Sequence, residues 1–218
     1  MKYLFLLFLI VPSGLKCQEQ STLKKEIDQH QEGVGLWWAG HNGWIIKSND
    51  LVISTDILLD YDKRIKKPTI SENELAQILD ISFVTHSHKD HFARSVSKVL
   101  IEESDCIFVI PESCLEIAKE LKIPINRIKI AVPRQKFQIL GVDVTPIRAI
   151  HGNADFAIYY KANLKDCGYL IEIDGKRFLQ PGDSFLLEDH LFLNNIDVLF
   201  FSPTEHNMYI KNSLTLIN

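Results

Sequence analysis

The chain has 218 residues, 46% of them hydrophobic and 24% charged, which is room for one globular domain with a sizeable core and excludes a disordered polypeptide. The formal net charge of -4 at pH 7 and the pI of about 6.1 carry no basic surplus, so no nucleic-acid partner is expected. The first residues read as an address. Lys2 supplies a positive n-region, Leu4 to Val11 an unbroken apolar run, and Pro12-Ser13-Gly14 a breaker. The run is too short to span a bilayer, so residues 1–17 are expected to be a secretory signal cleaved after Cys17. Lys16 does not fit the small residue that precedes a lipid-anchored cysteine. The mature chain is therefore expected to be secreted or periplasmic, with no stable membrane span. Residues 18–32 read as a polar lead-in, a tether or short helix, and 33–218 as the domain.

Strands are predicted at Val34 to Ala39, Trp44 to Lys47 and Leu51 to Thr55, with Ser48-Asn49-Asp50 turning between the last two. Asp60 to Pro68 is a charged, exposed loop. A helix is predicted over Glu72 to Leu79, with Ser71 as N-cap and Glu74 three positions on. Ile81 to Val84 reads as a buried strand. Phe92, Val96, Val99 and Leu100 form the apolar stripe of a helix. Cys106 to Ile110 is a strand, and Pro111-Glu112 opens a helix with Leu115, Ala118 and Leu121 inward. Strands follow at Arg127 to Val132, Phe137 to Leu140 and Val142 to Ile150. Tyr169 to Ile173 and Arg177 to Gln180 flank Asp174-Gly175, a strong hairpin signal. Asp197 to Ser202 is the last strand, and Ile210, Leu214 and Ile217 mark a terminal helix. Hairpins and strand-helix alternations together point to an α/β layer fold with mixed sheets. Beyond Cys17 the cysteines are Cys106, Cys114 and Cys167; none has metal-ligand spacing, and the first two read as small core residues.

Between the fourth strand and its helix lies Thr85-His86-Ser87-His88-Lys89-Asp90-His91-Phe92. In extended chain, residues i and i+2 point the same way, so His86 and His88 can reach one ion from one side. The bend into the helix turns Asp90 and His91 toward a second point. Neutral imidazole and carboxylate are ligands that a borderline divalent cation takes. His151 and Asp183 also fall at strand ends, the latter in Pro181-Gly182-Asp183-Ser184.

The H-x-H-x-D-H stretch resembles the signature of the metallo-β-lactamase-fold hydrolases. Trp37-Trp38-Ala39-Gly40-His41-Asn42-Gly43 is similar to the opening strand and turn of the branch that holds ascorbate-phosphate lactonase, with the N-acyl phosphatidylethanolamine phospholipase D a further relative. Val52-Ile53-Ser54-Thr55-Asp56 resembles the family's first motif, whose aspartate orients the metal loop. Gly168 to Glu172, leading to Asp183, resembles the segment that delivers a bridging carboxylate. The resemblance implies a four-layer αβ/βα sandwich of two mixed sheets with a dinuclear site at one edge. It implies His86, His88 and His151 on the first metal, Asp90 and His91 on the second, and Asp183 between them. The family's last ligand is a histidine beyond the final strand and a following helix, and Asn218 stands about where that helix should end. Either the sequence is a fragment, or the second metal has fewer ligands. His206 reads as a substrate contact or a replacement ligand, His41 as a turn residue or a residue lining the site, and His30 and His190 as surface residues.

The activity implied is that of a secreted metal-dependent hydrolase, in which a metal-bound hydroxide attacks an ester, lactone or phosphodiester of a small-molecule substrate. Two divalent ions are implied, zinc first and manganese or iron also accommodated, with Asp90 orienting the nucleophile and moving its proton. The alternatives are a nuclease of the same fold and a non-catalytic binding protein that kept it. Trp37, Trp38, Phe156, Tyr159 and Tyr160 could wall the site, and Asn153 to Asp166 could cover it.

Overall fold

A computed structural model describes residues 21–152 and 158–200, together with Asn212 and Leu214. The signal segment, Phe156, His206 and all but those two residues of the terminal helix lie outside the described residues.

Two sheets form. The first holds six strands in chain order, β1 (Val34–Gly40), β2 (Gly43–Ser48), β3 (Leu51–Thr55), β4 (Ile81–Phe83), β5 (Ile107–Pro111) and β6 (Ile128–Ala131). β1 to β3 pair antiparallel through tight turns, and β3 to β6 pair parallel through crossovers. The second sheet runs β11-β10-β9-β8-β7, from β7 (Phe137–Ile139), β8 (Val142–Arg148), β9 (Cys167–Ile173), β10 (Lys176–Gln180) and β11 (Val198–Leu199). Its pairs are antiparallel except β10 with β11. Both sheets are mixed, as expected.

Side-chain alternation along each strand decides which layer a residue enters. Ile46, Ile53, Ile81, Phe83 and Val109 point from the first sheet into a central core. There they meet Val142, Val144, Tyr169, Ile171 and Phe178 from the second. The opposite faces of the first sheet, through Ile45, Val52, Phe108 and Ile110, pack on helices α1 (Thr22–Gln29), α2 (Glu72–Ala76), α3 (Arg94–Glu103) and α4 (Leu115–Glu120). The outer face of the second sheet carries Ile147, Leu170 and Leu179 beneath Leu193 and Ile196, beside the short α5 (Glu188–Leu191). This is the four-layer α/β sandwich.

The lead-in is the helix α1. Ser21 caps it by accepting from Lys24 N, and the buried Lys47 of β2 donates to the Ile27 carbonyl at its end. The Ser71–Glu74 capping box forms as predicted, but α2 stops at Ala76 because Ile78 and Leu79 both close a turn on the Leu75 carbonyl. α3 begins at Arg94 rather than at Phe92, because His91 N and Phe92 N both donate to the His88 carbonyl in a tight turn. Other predicted strands shift by one or two residues at their ends, except that the last is only Val198–Leu199, with Phe201 and Ser202 outside the described residues.

β3, β4 and β5 run parallel, so their C-terminal ends share one rim. β8 and β10 are parallel to each other across β9, and their ends meet the same rim: the buried Gln180 amide lies 3.4 Å from both Thr55 Oγ1 and the Asn42 carbonyl. The connecting hairpin turns, Asn49-Asp50, Leu140-Gly141 and Asp174-Gly175, lie at the other rim.

His190 corrects the surface assignment: its side chain is fully buried beside β8, while His30 is half-buried with its ring edge-on to Trp37. His190 Nδ1 accepts from Leu187 N at 3.0 Å, which closes α5 from within and requires the neutral ring. Next to it, Asp189 receives both Arg134 and Arg148, two nitrogens each. Burial lowers the His190 pKa to about 4, against an ordinary value near 6.5. The unfolded chain therefore binds a proton between pH 6.5 and 4 that the folded chain refuses. This stability is complete above the unfolded pKa and is lost as pH falls through that window. Urea unfolding should show about 2 kcal/mol less stability at pH 5 than at pH 7 from this group alone. A His190→Gln chain should lack that component, and a His190 proton resonance titrating near 6.5 would contradict it.

Candidate metal centre

Asp56 organises the rim. It follows β3 with a positive φ of 42° and its side chain is fully buried. One carboxylate oxygen accepts from Thr85 N at 2.8 Å, and the other from Thr85 Oγ1 at 2.8 Å and from His91 Nδ1 at 2.9 Å. The histidine turn is thus hung on a carboxylate from the neighbouring strand end. The second sheet holds the same turn by backbone contacts: Tyr169 donates its hydroxyl to the Val84 carbonyl at 2.7 Å, and Cys167 N donates to Thr85 O.

Seven of the eight residues assigned to the site from sequence converge here with ring nitrogens or carboxylate oxygens. His86, His88 and His151 bring ligand atoms within 4.8 Å of one another; so do His86, His91 and Asp183, and so do His41, Asp90 and His91. Asp183 Oδ2 lies 3.4 Å from His91 Nε2 and 3.2 Å from His151 Nε2, between the two groups. Gly182 permits this. Its φ is 64°, and a Cβ there would stand 2.9 Å from the Thr85 Cβ. His41, with a φ of 52° in the β1–β2 turn, joins from the N-terminal side, its Nε2 3.6 Å from Asp90 Oδ2 and its ring edge-on to His91. It is both a turn residue and a residue of the site. His206 lies outside the described residues.

The imidazoles are held from behind. His86 Nδ1 faces Thr85 Oγ1 at 3.1 Å, His91 Nδ1 faces Asp56, and His151 Nδ1 donates to the Gly152 carbonyl at 2.5 Å. Thr85 Oγ1 already donates to Asp56, so it receives the His86 proton. Each ring then turns Nε2 inward. The Nε2 atoms of His86 and His91 are buried and make no hydrogen bond among the described residues. A buried ring nitrogen left unpaired costs stability. Imidazoles fixed through one nitrogen, with the other turned toward a shared carboxylate, are the arrangement of metal ligands.

Charge fits a cation as well. Burial opposes protonation of His91, yet Asp183 and Asp56 overcome it and hold the ring well above its ordinary pKa. His151 is raised against burial by its hydrogen bond to Asp183. Burial, then the charge of His91, holds His86 well below, and His88 is lowered by burial and by His151. Asp183, despite burial, is held well below the carboxylate range, His91 contributing most. The pocket therefore favours positive charge around its buried carboxylate. A divalent cation carries such charge in one ion.

Two clefts open on the cluster. A polar one of 310 Å³ is lined by His86, His88 and His151 together with Arg94, Lys161 and Asp166. Burial raises the Asp166 pKa, and its carboxylate accepts from Ser113 Oγ. Of the residues expected to wall the site, Tyr159 packs on both His88 and His151, whereas Trp37 packs against the helix-side core. A larger, mainly apolar cleft of 540 Å³ reaches the cluster through His41. Arg94, Asp166 and the Tyr61 ring against His41 were not singled out from sequence. Asp166 sat inside a segment read as a loop, and nothing in its spacing separated it from a solvated acid.

Residues 35–215 match the family described as a beta-lactamase superfamily domain. The chain belongs to that family. A metal-dependent hydrolase of Thermococcus kodakarensis is 23% identical over 164 residues, covering 75% of this chain and 67% of that protein. Among solved structures, a metallo hydrolase of Ignicoccus hospitalis aligns with a TM-score of 0.64 at 18% identity, over 84% of this chain and 76% of that one. A diiron β-hydroxylase of Streptomyces venezuelae aligns at 0.59 and 16%, over 78% of this chain and 34% of that one. At such identities the structural likeness is one of fold. The beta-lactamase superfamily domain thus covers both sheets and every described residue of the cluster.

Asp56→Asn would keep the shape but put an amide where two or three donors converge. Urea unfolding should show a loss of about 3 kcal/mol, the scale for removing one partner of a buried ion pair. A variant as stable as the parent would mean that the histidine turn does not hang on this carboxylate.

Proposed function

We propose that the chain is a metal-dependent hydrolase of small esters, lactones or phosphodiesters, with a dinuclear centre for which zinc is the best-suited cation. The observation that carries this reading is the set of Nδ1-anchored imidazoles whose Nε2 atoms face Asp183. The descriptions of the Thermococcus and Ignicoccus proteins as metal-dependent or metallo hydrolases support it. In this reading His86, His88 and His151 hold the first ion, Asp90 and His91 the second, and Asp183 lies between them. An all-imidazole and carboxylate set takes zinc readily and admits manganese or iron.

Residues of this set would hold divalent cations, which would supply a coordinated water of pKa roughly 7 and positive charge against the negative charge that develops on the substrate. The chain's own residues do the rest. Thr85, Asp56 and the Gly152 carbonyl fix the tautomers, so no ring must reorient during the reaction. Asp90 Oδ2, on a side chain 34% exposed at the mouth and 3.6 Å from His41 Nε2, is placed to take a proton from the attacking water and pass it to solvent. The substrate's reacting group would enter by the polar cleft, which Arg94 and Lys161 line together with the imidazoles. We further propose that the mature protein is exported, on the strength of Lys2 and the apolar run from Leu4 to Val11. No helix among the described residues is long and apolar enough to cross a membrane.

Elemental analysis of the purified protein should find about two metals per chain, lost in His88→Ala and in Asp183→Ala. The loaded protein should then hydrolyse a member of an ester, lactone and phosphodiester panel. One metal would reduce the reading to a mononuclear centre. No metal after zinc or manganese is supplied would overturn it.

A further inference from the structure

The apolar cleft touches the cluster through His41 and contains none of the other candidate ligands. It is therefore shaped for a part of the substrate that does not react. Its size, 540 Å³, lies within the range of ligand sites. One wall is the Trp38 indole, 61% exposed but fixed in orientation because Nε1 donates to the His41 carbonyl at 2.9 Å. Tyr61 forms another wall, edge-on to His41. Ile65 stands almost fully in the open beside them. Large apolar groups exposed together along one cleft mark a binding surface.

The loop after β3 sorts its charges. Asp60 and Asp62 line a separate cleft with Lys89, Asp90 and Arg94. Lys63, Lys66 and Lys67 line the apolar one, and none of the three lies within ion-pair distance of a carboxylate among the described residues. Tyr61 is common to both clefts. The lysines stand out in a chain whose net charge is -4. The loop itself is pinned. Arg64 donates through Nη2 to the Ala39 and Leu58 carbonyls, at 2.8 Å each. It crosses Gly40 where a Cβ would stand 2.4 Å from Nη2, and Gly40 has a φ of 101° that other residues rarely adopt. The backbone that carries the lysines is thereby fixed against β1.

We propose that this cleft is the specificity subsite of the hydrolase, and that it takes the apolar body and distal anionic group of an amphiphilic substrate. The body lies against Trp38 and Tyr61, and the anion, a phosphate or carboxylate, meets Lys63, Lys66 and Lys67. His41 stands where the body passes into the metal centre. The inference rests on the hydrolase reading but is tested without turnover.

Calorimetric titration of the zinc-supplied chain compares hexyl phosphate with hexanol and with inorganic phosphate. Hexyl phosphate should bind at least about ten-fold more tightly than either, the gain expected when a charge and an apolar body are engaged together. A chain with Lys63→Ala, Lys66→Ala and Lys67→Ala should lose that gain while its metal content is unchanged. Hexyl phosphate binding equally tightly to the triple variant, or no more tightly than inorganic phosphate, would overturn the proposal. A chain without metal that still shows the lysine-dependent gain would leave the subsite standing and remove the hydrolase reading. Hexyl carboxylate in place of the phosphate separates the two anions: a matching lysine-dependent gain assigns the subsite to anions generally, and its absence to phosphate.

Discussion

Everything at the rim depends on one carboxylate. Asp56 closes β3, turns the chain with a positive φ, and gathers the Thr85 amide, the Thr85 hydroxyl and the His91 imidazole. Through Thr85 it also reaches His86, so two candidate ligands on one turn take their tautomers from one acidic group. Such a buried charge is costly unless it is fully hydrogen-bonded. Here each oxygen has a donor, and the desolvation is offset by fixing the geometry of a site that must not relax.

The other half of the centre comes from the second sheet, and the central core sets the spacing between halves. Phe83 and Tyr169 meet edge to face in that core, and the Tyr169 hydroxyl reaches the carbonyl just before the histidine turn. His151 and Asp183 follow strands that are parallel to each other, so they arrive at one height. Close packing of the two sheets is what holds His151 beside His86 and His88. A substitution deep in the core can therefore move candidate ligands it never touches.

Much of this was legible in the residues. The H-x-H-x-D-H string, two further strand-end ligands and the alternation of the strands were enough to place the fold and six converging side chains. Helix ends were less so: α3 begins late because the histidine turn consumes the amides that a helix would use, which no apolar stripe reveals. His190 was misplaced because a lone polar residue between an acid and a leucine looks solvated. Only its contact with the Leu187 amide explains its burial. The role of Asp56 could be named from the resemblance, but the three donors it serves are a tertiary fact. The acids of residues 60–67 precede the basic residues in the chain, but that they line two different clefts shows only in the fold, where Arg64 pins the loop.

The hairpin turns at the far rim have a different consequence. Asn49, Leu140 and Asp174 each take a positive φ, two of them followed by a glycine of the same hand, and each closes a two-stranded pair by itself. They are remote from every candidate ligand, at the end of the sandwich where no chemistry is placed. The molecule thus has a reactive pole and a connective pole. Loops at the first are bound to each other across the two sheets and can change only in concert. Turns at the second are independent closures, and they are where a reporter peptide, a tether to a surface or a new pair of termini can be grafted without disturbing the centre.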